Sequence, residues 1–442
     1  MRKKDLLNAI AICILLLYLP GCSDKQADLL IEDVQGVLSE TKAPVSVKVK
    51  LNEDQLTAAK EGRLGIYDQT GGSKTKNLIP VQLDGLREGS ISRLVLMMPE
   101  GEPGPRRFKL VENPTPFREL MKATIDPNSS QLVIEQEGDQ VMQYNYETVY
   151  EKDVIRNTTE ALEHHIRTEK DTFVTTSIYA VPRSDYIHPL YGLKGEMLTR
   201  DWPEGGHPHH RAIFWAWPEV EYGSERGDIY ALQRVFARPT GNMKFTGGPV
   251  FAQIEAENLW MWEDREPIVR EHAVINIYRS SPVTRVIDLT IKLDGLVDSI
   301  TIATRNTDSY GGLNIRMQTP QGQEISYYSD PPGSNPLRAW SDFEGIFEGN
   351  ESASGLMVLQ HKDNPEYPGN WVEYPNLAWV QPTFPSPGTR YPLSKDNSLV
   401  LRYRLIVHEG GKPSVDVAEK RWDAYHAAST PKYYTDQPAL NN

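Results

Sequence analysis

The stretch GGHPHHRAIFWAW, residues 205 to 217, places His207, His209 and His210 within four positions of a chain that holds 10 histidines in all. In an extended segment, side chains at i and i+2 share a face, so His207 and His209 can point together while His210 points away. A His-x-His pair can chelate a divalent metal, but such a site needs a third and usually a fourth ligand. None is local, and folding would have to bring in His188, Asp201 or His361. No cofactor is therefore firmly expected, and a divalent metal at His207 and His209 stays open. Acid/base chemistry is the second reading, because imidazole titrates near neutral pH and Arg211 can hold a carboxylate or a developing negative charge. The third reading is structural: the histidines satisfy backbone groups of a loop.

Other residues could join this cluster. Upstream, residues 184 to 206 carry His188, Tyr191, Arg200 and Asp201 in a polar, aromatic stretch suited to a binding loop. Tyr191 suits a proton donor or a stacking surface. From Arg211 onward, alternation puts Arg211, Ile213, Trp215 and Trp217 on one strand face, where Trp215 or Trp217 could stack on a sugar ring. Trp260 and Trp262 share a face in the same way and suit a core at least as well. After the Gly311-Gly312 turn, Asn314 and Arg316 share a face, and an inward Arg316 would need a carboxylate partner or an anionic ligand. Asp201, Glu219 and Glu263 are the candidates for the pair of carboxyl groups that glycoside hydrolysis requires.

The elements that must position these groups read as strands. Val45, Val47, Val49 and Leu51 alternate in APVSVKVKL, and short strand patterns continue to RRFKLVE, predicting a small β-sandwich domain over residues 43 to 125. The turn-rich ATIDPNSSQ follows. Residues 130 to 426 carry a long series of strand patterns, including VFAQIEAENLWMW, IVREHAVINIYR and LVLRYRLIVHEG. The fold class expected is all-β: a large antiparallel sandwich preceded by the smaller domain. SVDVAEKRWDAYH predicts a short C-terminal helix capped by Ser414, with Val417, Trp422 and Tyr425 on one face, and residues 427 to 442 read as a tail.

Residues 1 to 21 read as a lipoprotein signal peptide, a basic start followed by the apolar run Ala9 to Leu19 and a small-residue approach to Cys22. That run is shorter than the roughly 20 residues that span a bilayer. Cys22 is the expected lipidation site, residues 22 to 42 a tether, and the location a lipid-anchored one in the bacterial cell envelope, on the periplasmic side or the cell surface. Cleavage also removes Cys13, leaving no disulfide, thiol nucleophile or cysteine metal site. Losing Arg2, Lys3, Lys4 and Asp5 moves the formal charge from −13 to −15. That balance argues against nucleic acid, and membrane contact is expected through the anchor alone.

YIHPLYGLKGEMLTRD, HPHHRAIFWAW, YGGLNIRMQ and LQHKDNPEYPGNWVEYPNLAWVQPTF together resemble the PmoA-like family of unknown function, over roughly residues 130 to 425. The resemblance implies a galactose-mutarotase-like sandwich and makes His188, His207, His209, His210, Arg211, Arg316, His361 and Asn364 the motif positions. The methane-oxygenase label often given to that family does not suit this chain, whose expected N-terminus is a lipidated cysteine where a copper brace needs a free histidine. The function expected is an enzyme acting on a carbohydrate, a glycoside hydrolase or lyase of polysaccharide degradation. One imidazole of His188, His207, His209 and His210, or Tyr191, would move the proton, while Arg200, Asp201, Arg211, Trp215, Arg316, His361 and Asn364 bind an oligosaccharide or polysaccharide. The rivals are a noncatalytic glycan-binding lipoprotein and a sugar epimerase or mutarotase.

Overall fold

The computed structural model describes residues 29–70, 77–88, 91–150, 155–156, 165–167, 172–174, 181–201, 209–328, 339–429 and 432–434. Cys22 and the signal peptide lie outside them, as does His207. Among the described residues the main body is two eight-stranded antiparallel sheets. The long strands Phe251–Trp262, Glu266–Tyr278, Thr284–Gly295 and Leu399–Glu409 form the middle of one sheet. In the first three the buried positions recur every second residue over most of their length, which is what a strand with one face on a core requires, whereas Leu399–Glu409 is buried on both faces from Tyr403 to His408. The other sheet contains Tyr186–Leu190, Ile213–Ala216, Gly312–Arg316, Trp379–Thr383 and Asn370–Tyr374 as consecutive neighbours. Ile213, Trp215, Leu313, Ile315 and Val380 of this sheet and Ile254, Ile275, Leu289 and Leu405 of the first belong to one apolar core.

A second core is built by two four-stranded sheets at the N-terminal end. Its strands include Pro44–Lys50, Ile91–Met97 and Gly104–Glu112. The module begins earlier than the sequence suggests. Leu29–Asp33 pairs with Gly104–Glu112, and the helix Val37–Thr41 is held by Asp33, whose carboxylate accepts the Leu38 and Ser39 amides. The segment expected as a tether thus becomes structure from Leu29 on, because Leu29, Ile31, Val37 and Leu38 bury their side chains. Lys432–Tyr434, in the expected tail, pairs in parallel with Pro44–Lys50.

The C-terminal helix Val415–Ser429 is present, with the Ser414 hydroxyl accepting the Val417 amide at 3.3 Å. Its buried side is Ala418, Trp422 and Tyr425, whereas Val417 stays exposed. Spacing of four and then three residues keeps a helical stripe in register, and Val417 lies one position off it. Trp422 and Tyr425 join Val95, Phe251, Tyr278 and Ile406 in a third apolar cluster, so the helix, the N-terminal module and the sandwich pack together.

Candidate functional site

Trp215 fixes which face of the second sheet is which. Its indole donates to Glu271 Oε1 on the opposing sheet at 2.6 Å, while Trp260 donates to the other oxygen at 2.8 Å. Trp215 is a core residue, and the expectation that it stacks on a substrate is corrected. Trp217 is likewise buried, bonded to the Phe384 carbonyl and packed on Trp260. By alternation, Phe214, Asn314, Arg316, Trp379, Gln381 and Thr383 occupy the outer face. The register sets Phe214 opposite Asn314, Arg316 opposite Trp379, and Trp379 opposite Tyr374.

An aromatic wall stands on this face. Ring centroids are 5.0 Å apart for Phe214 and Tyr230, 5.0 Å for Tyr230 and Tyr310, and 5.6 Å for Tyr310 and Trp379. Tyr374 stacks on Trp379 at 4.8 Å with an interplanar angle of 12° and remains 37% exposed. His209 and His210 join the wall. His210 lies 5.0 Å from Trp379, and the two imidazoles meet edge to face at 4.6 Å. The expected sharing of a face by His207 and His209 concerns His207, which lies outside the described residues. Among the described residues no three His, Cys, Asp or Glu side chains converge as a metal site would require.

Beside the wall lies a cluster of cations. Arg211 is fully buried, paired with Asp201 at 3.2 Å, donating to the Val149 carbonyl and lying over the Tyr186 ring. Tyr186 donates to the second Asp201 oxygen at 3.0 Å. The expected alternation through Arg211 begins only at Ile213, because Ala212 takes a left-handed conformation, φ 52°, and breaks it. The Ala212 amide donates to the Arg200 carbonyl, the Arg316 amide to the Ala212 carbonyl, and the Arg200 amide to the Arg316 carbonyl. This lacing brings Arg200 beside Arg316. Arg183 donates to the carbonyls of Ile229 and Tyr230, which holds the Tyr230 loop against the sheet.

The side-chain electrostatics follow from burial. Arg316 is only 4% exposed and its pKa falls to about 10, through burial first and the neighbouring Arg200 second. Its Nε and Nη1 are buried without a hydrogen bond, and no carboxylate among the described residues pairs with it. Tyr230 Oη, Asn314 Oδ1, both amide atoms of Gln381 and Thr383 Oγ1 are also buried without hydrogen bonds. Buried polar atoms are normally satisfied, and leaving one unpaired costs about 1–3 kcal/mol. A row of them on one sheet face beside a lone guanidinium is what a polar ligand with a negative charge would satisfy. His188, whose Nδ1 is 3.1 Å from the Thr199 hydroxyl, has its pKa lowered by burial and so favours the neutral form.

The structure therefore gathers His188, Arg200, Asp201, His209, His210, Arg211 and Arg316 around one face and leaves the other candidates elsewhere. Tyr191 lines a different cavity, with Arg285, Lys194 and Gln140. His361 packs against Tyr425 and His426, and Asn364 is spent on both backbone groups of Arg402, all beside the C-terminal helix. The three carboxylates named for hydrolysis do not meet: Asp201 is tied to Arg211, Glu219 to Arg390 and Glu263 to Arg234. Sequence reasoning missed Arg183, Tyr230, Tyr310, Trp379 and Gln381. Trp379 and Gln381 lie in the motif WVEYPNLAWVQPTF, where a two-residue period was available; Tyr230 had no signal.

The fold and site define an all-β protein of two modules with an arginine- and histidine-bearing face on the larger one. Residues 131–423 match the family of unknown function DUF6807, and the chain belongs to that family. This match corrects the resemblance to a PmoA-like family, which it does not show. No curated relative matches the chain.

Proposed function

We propose that the outer face binds a uronate-containing glycan and cleaves it by β-elimination. The observation that carries this reading is Arg316, a buried guanidinium without a carboxylate partner among the described residues, set opposite an aromatic residue and beside a second arginine. A carboxylate accepting hydrogen bonds from Arg316 and Arg200 would be neutralised in a site of low polarity, which acidifies the adjacent C5 proton. His210, packed on Trp379, is assigned the base. It takes the C5 proton, the C5–H electron pair becomes the C4=C5 double bond, and the C4–O4 bond breaks with O4 leaving and taking the proton back from the His210 imidazolium. No water enters the products. The exposed Tyr374 and the wall behind it supply a stacking surface for a neighbouring ring. Elimination is favoured over hydrolysis because the candidate carboxyl groups are each engaged in separate ion pairs.

The test is incubation of the protein with polyuronides and with neutral polysaccharides, read by mass spectrometry. Products lighter by one water than the hydrolytic ones, lost in His210→Ala, support elimination. Binding without products would instead fit the glycan-binding reading, for which the Tyr374–Trp379 stack is the supporting feature. We also place the protein on the cell envelope through a diacylglycerol on Cys22. Cys22→Ser is expected to move it from the membrane fraction to the soluble one, and retention of the variant in membranes would refute the anchor.

A further inference from the structure

Where the N-terminal module meets the sandwich, two cavities of about 670 and 460 Å³ share Gln136, Glu137 and Ser280 in their walls and so form one groove. Pockets that hold small molecules typically measure about 300–1,000 Å³. The first cavity has apolar surface from Ile79, Met97, Met98 and Leu120, with Asn77, Ser280 and Ser281 among its polar groups. The second adds Gln140, Tyr191 and Arg285. Apolar surface alternating with amides and hydroxyls matches a pyranose, which has carbon-bound faces and hydroxyl edges.

The charged groups of the walls balance in number, but among the described residues Arg279 has no anionic group facing it. Lys42 pairs with Glu100, Asp68 with Arg106, Glu137 with Arg118 and Lys194 with Glu409. Arg285 donates to the Tyr191 carbonyl and is attracted by Glu196 and by Asp139, a further carboxylate of the second cavity. Arg279 in the first cavity is half-buried, its backbone amide bonds to Val250, and no carboxylate among the described residues pairs with its guanidinium. A partly buried, unpaired guanidinium in a groove calls for an anionic group on the occupant.

We infer that this groove is a second binding site, distinct from the arginine and histidine face, which takes a stretch of acidic oligosaccharide with one carboxylate on Arg279 and a ring beside Tyr191. The site stands on its own geometry, and it holds even where the outer face proves to have no activity. It would let the chain grip a polymer away from the point of attack.

The experiment is calorimetric titration of the full chain with short oligogalacturonides, their methyl-esterified forms and free galacturonate. It is done in the wild type, Arg279→Gln, Arg279→Lys, Arg316→Gln and the Arg279→Gln, Arg316→Gln double variant. Arg279→Gln is expected to remove one binding event, or to weaken it by about tenfold or more, with Arg279→Lys keeping part of it and Arg316→Gln leaving it intact. Methyl esterification removes the anion from both sites and should mimic the Arg279→Gln, Arg316→Gln double variant, and the monomer should bind more weakly than the oligomer. Circular dichroism of each variant excludes unfolding as the cause. An isotherm unchanged by Arg279→Gln, one indifferent to esterification, or no binding by the wild type would overturn the inference.

Discussion

Arg316 shows how a single residue can be costly to the fold and useful to function. Keeping a guanidinium buried without an anionic partner opposes stability, so removing it should help the free protein. Arg316→Met is expected to raise the unfolding free energy by about 1–3 kcal/mol while abolishing the binding of acidic glycans at the outer face. Denaturant titration and binding on the same sample check both halves, and a variant that loses stability would show that Arg316 is an internal structural strut. Trp215 makes the opposite case. Trp215→Phe leaves Glu271 short of one donor in the core and should cost about 1–3 kcal/mol with glycan binding unchanged. Selective loss of binding at full stability would restore Trp215 to the site.

At the scale of elements, the strands were legible and their faces only partly so. Period-two alternation identified the long strands because their inner face is mostly apolar, with Glu271 and Asn258 as buried polar exceptions. It failed at Ala212, where a left-handed residue interrupts the strand, and nothing in the local sequence marks it because glycine is the usual occupant of that conformation. His361 and Asn364 were grouped with the histidine run by motif resemblance, but strand order places them at the junction with the C-terminal helix. The arrangement of Arg200 beside Arg316 depends on pairing across more than a hundred residues, which no local pattern encodes. If Ala212 holds that arrangement, Ala212→Gly should stabilise by up to about 1 kcal/mol and preserve binding. Ala212→Val, branched and in a left-handed position at a fully buried site, should destabilise by more than that and loosen recognition. Equal stability of the two variants would contradict this account of the turn.

For the whole molecule, pH should act at the junction between the modules. The His426 imidazole accepts the Lys362 amide on Nε2 and lies 2.8 Å from the Trp422 carbonyl through Nδ1, which fits the neutral ring. Burial, opposed by the bond to Trp422, lowers its pKa to about 4. A folded-state pKa below the unfolded value of about 6.5 means that the unfolded chain binds the proton more readily. The stability this histidine contributes is then present above about pH 6.5 and is lost as pH falls toward 4. His188 and His361 shift in the same direction, whereas Asp228, raised to about 6 by burial, opposes them because its contribution is present below about pH 3.8 and lost as pH rises through 6. The difference in Tm between the wild type and His426→Gln isolates one histidine, and it should shrink on acidification from pH 6.5 to 4. A difference independent of pH would refute the assignment.

The central claim, that the outer face recognises a carboxylate on a sugar and eliminates across C4 and C5, is tested most directly by mass spectrometry of polyuronide digests. Wild-type protein, Arg316→Gln and the carboxyl-reduced polymer would be compared side by side. The account predicts unsaturated oligouronides from the wild type, no such products from Arg316→Gln, and none from the reduced polymer. Cleavage of the neutral, reduced polymer, or unsaturated products at undiminished rate from Arg316→Gln, would contradict it.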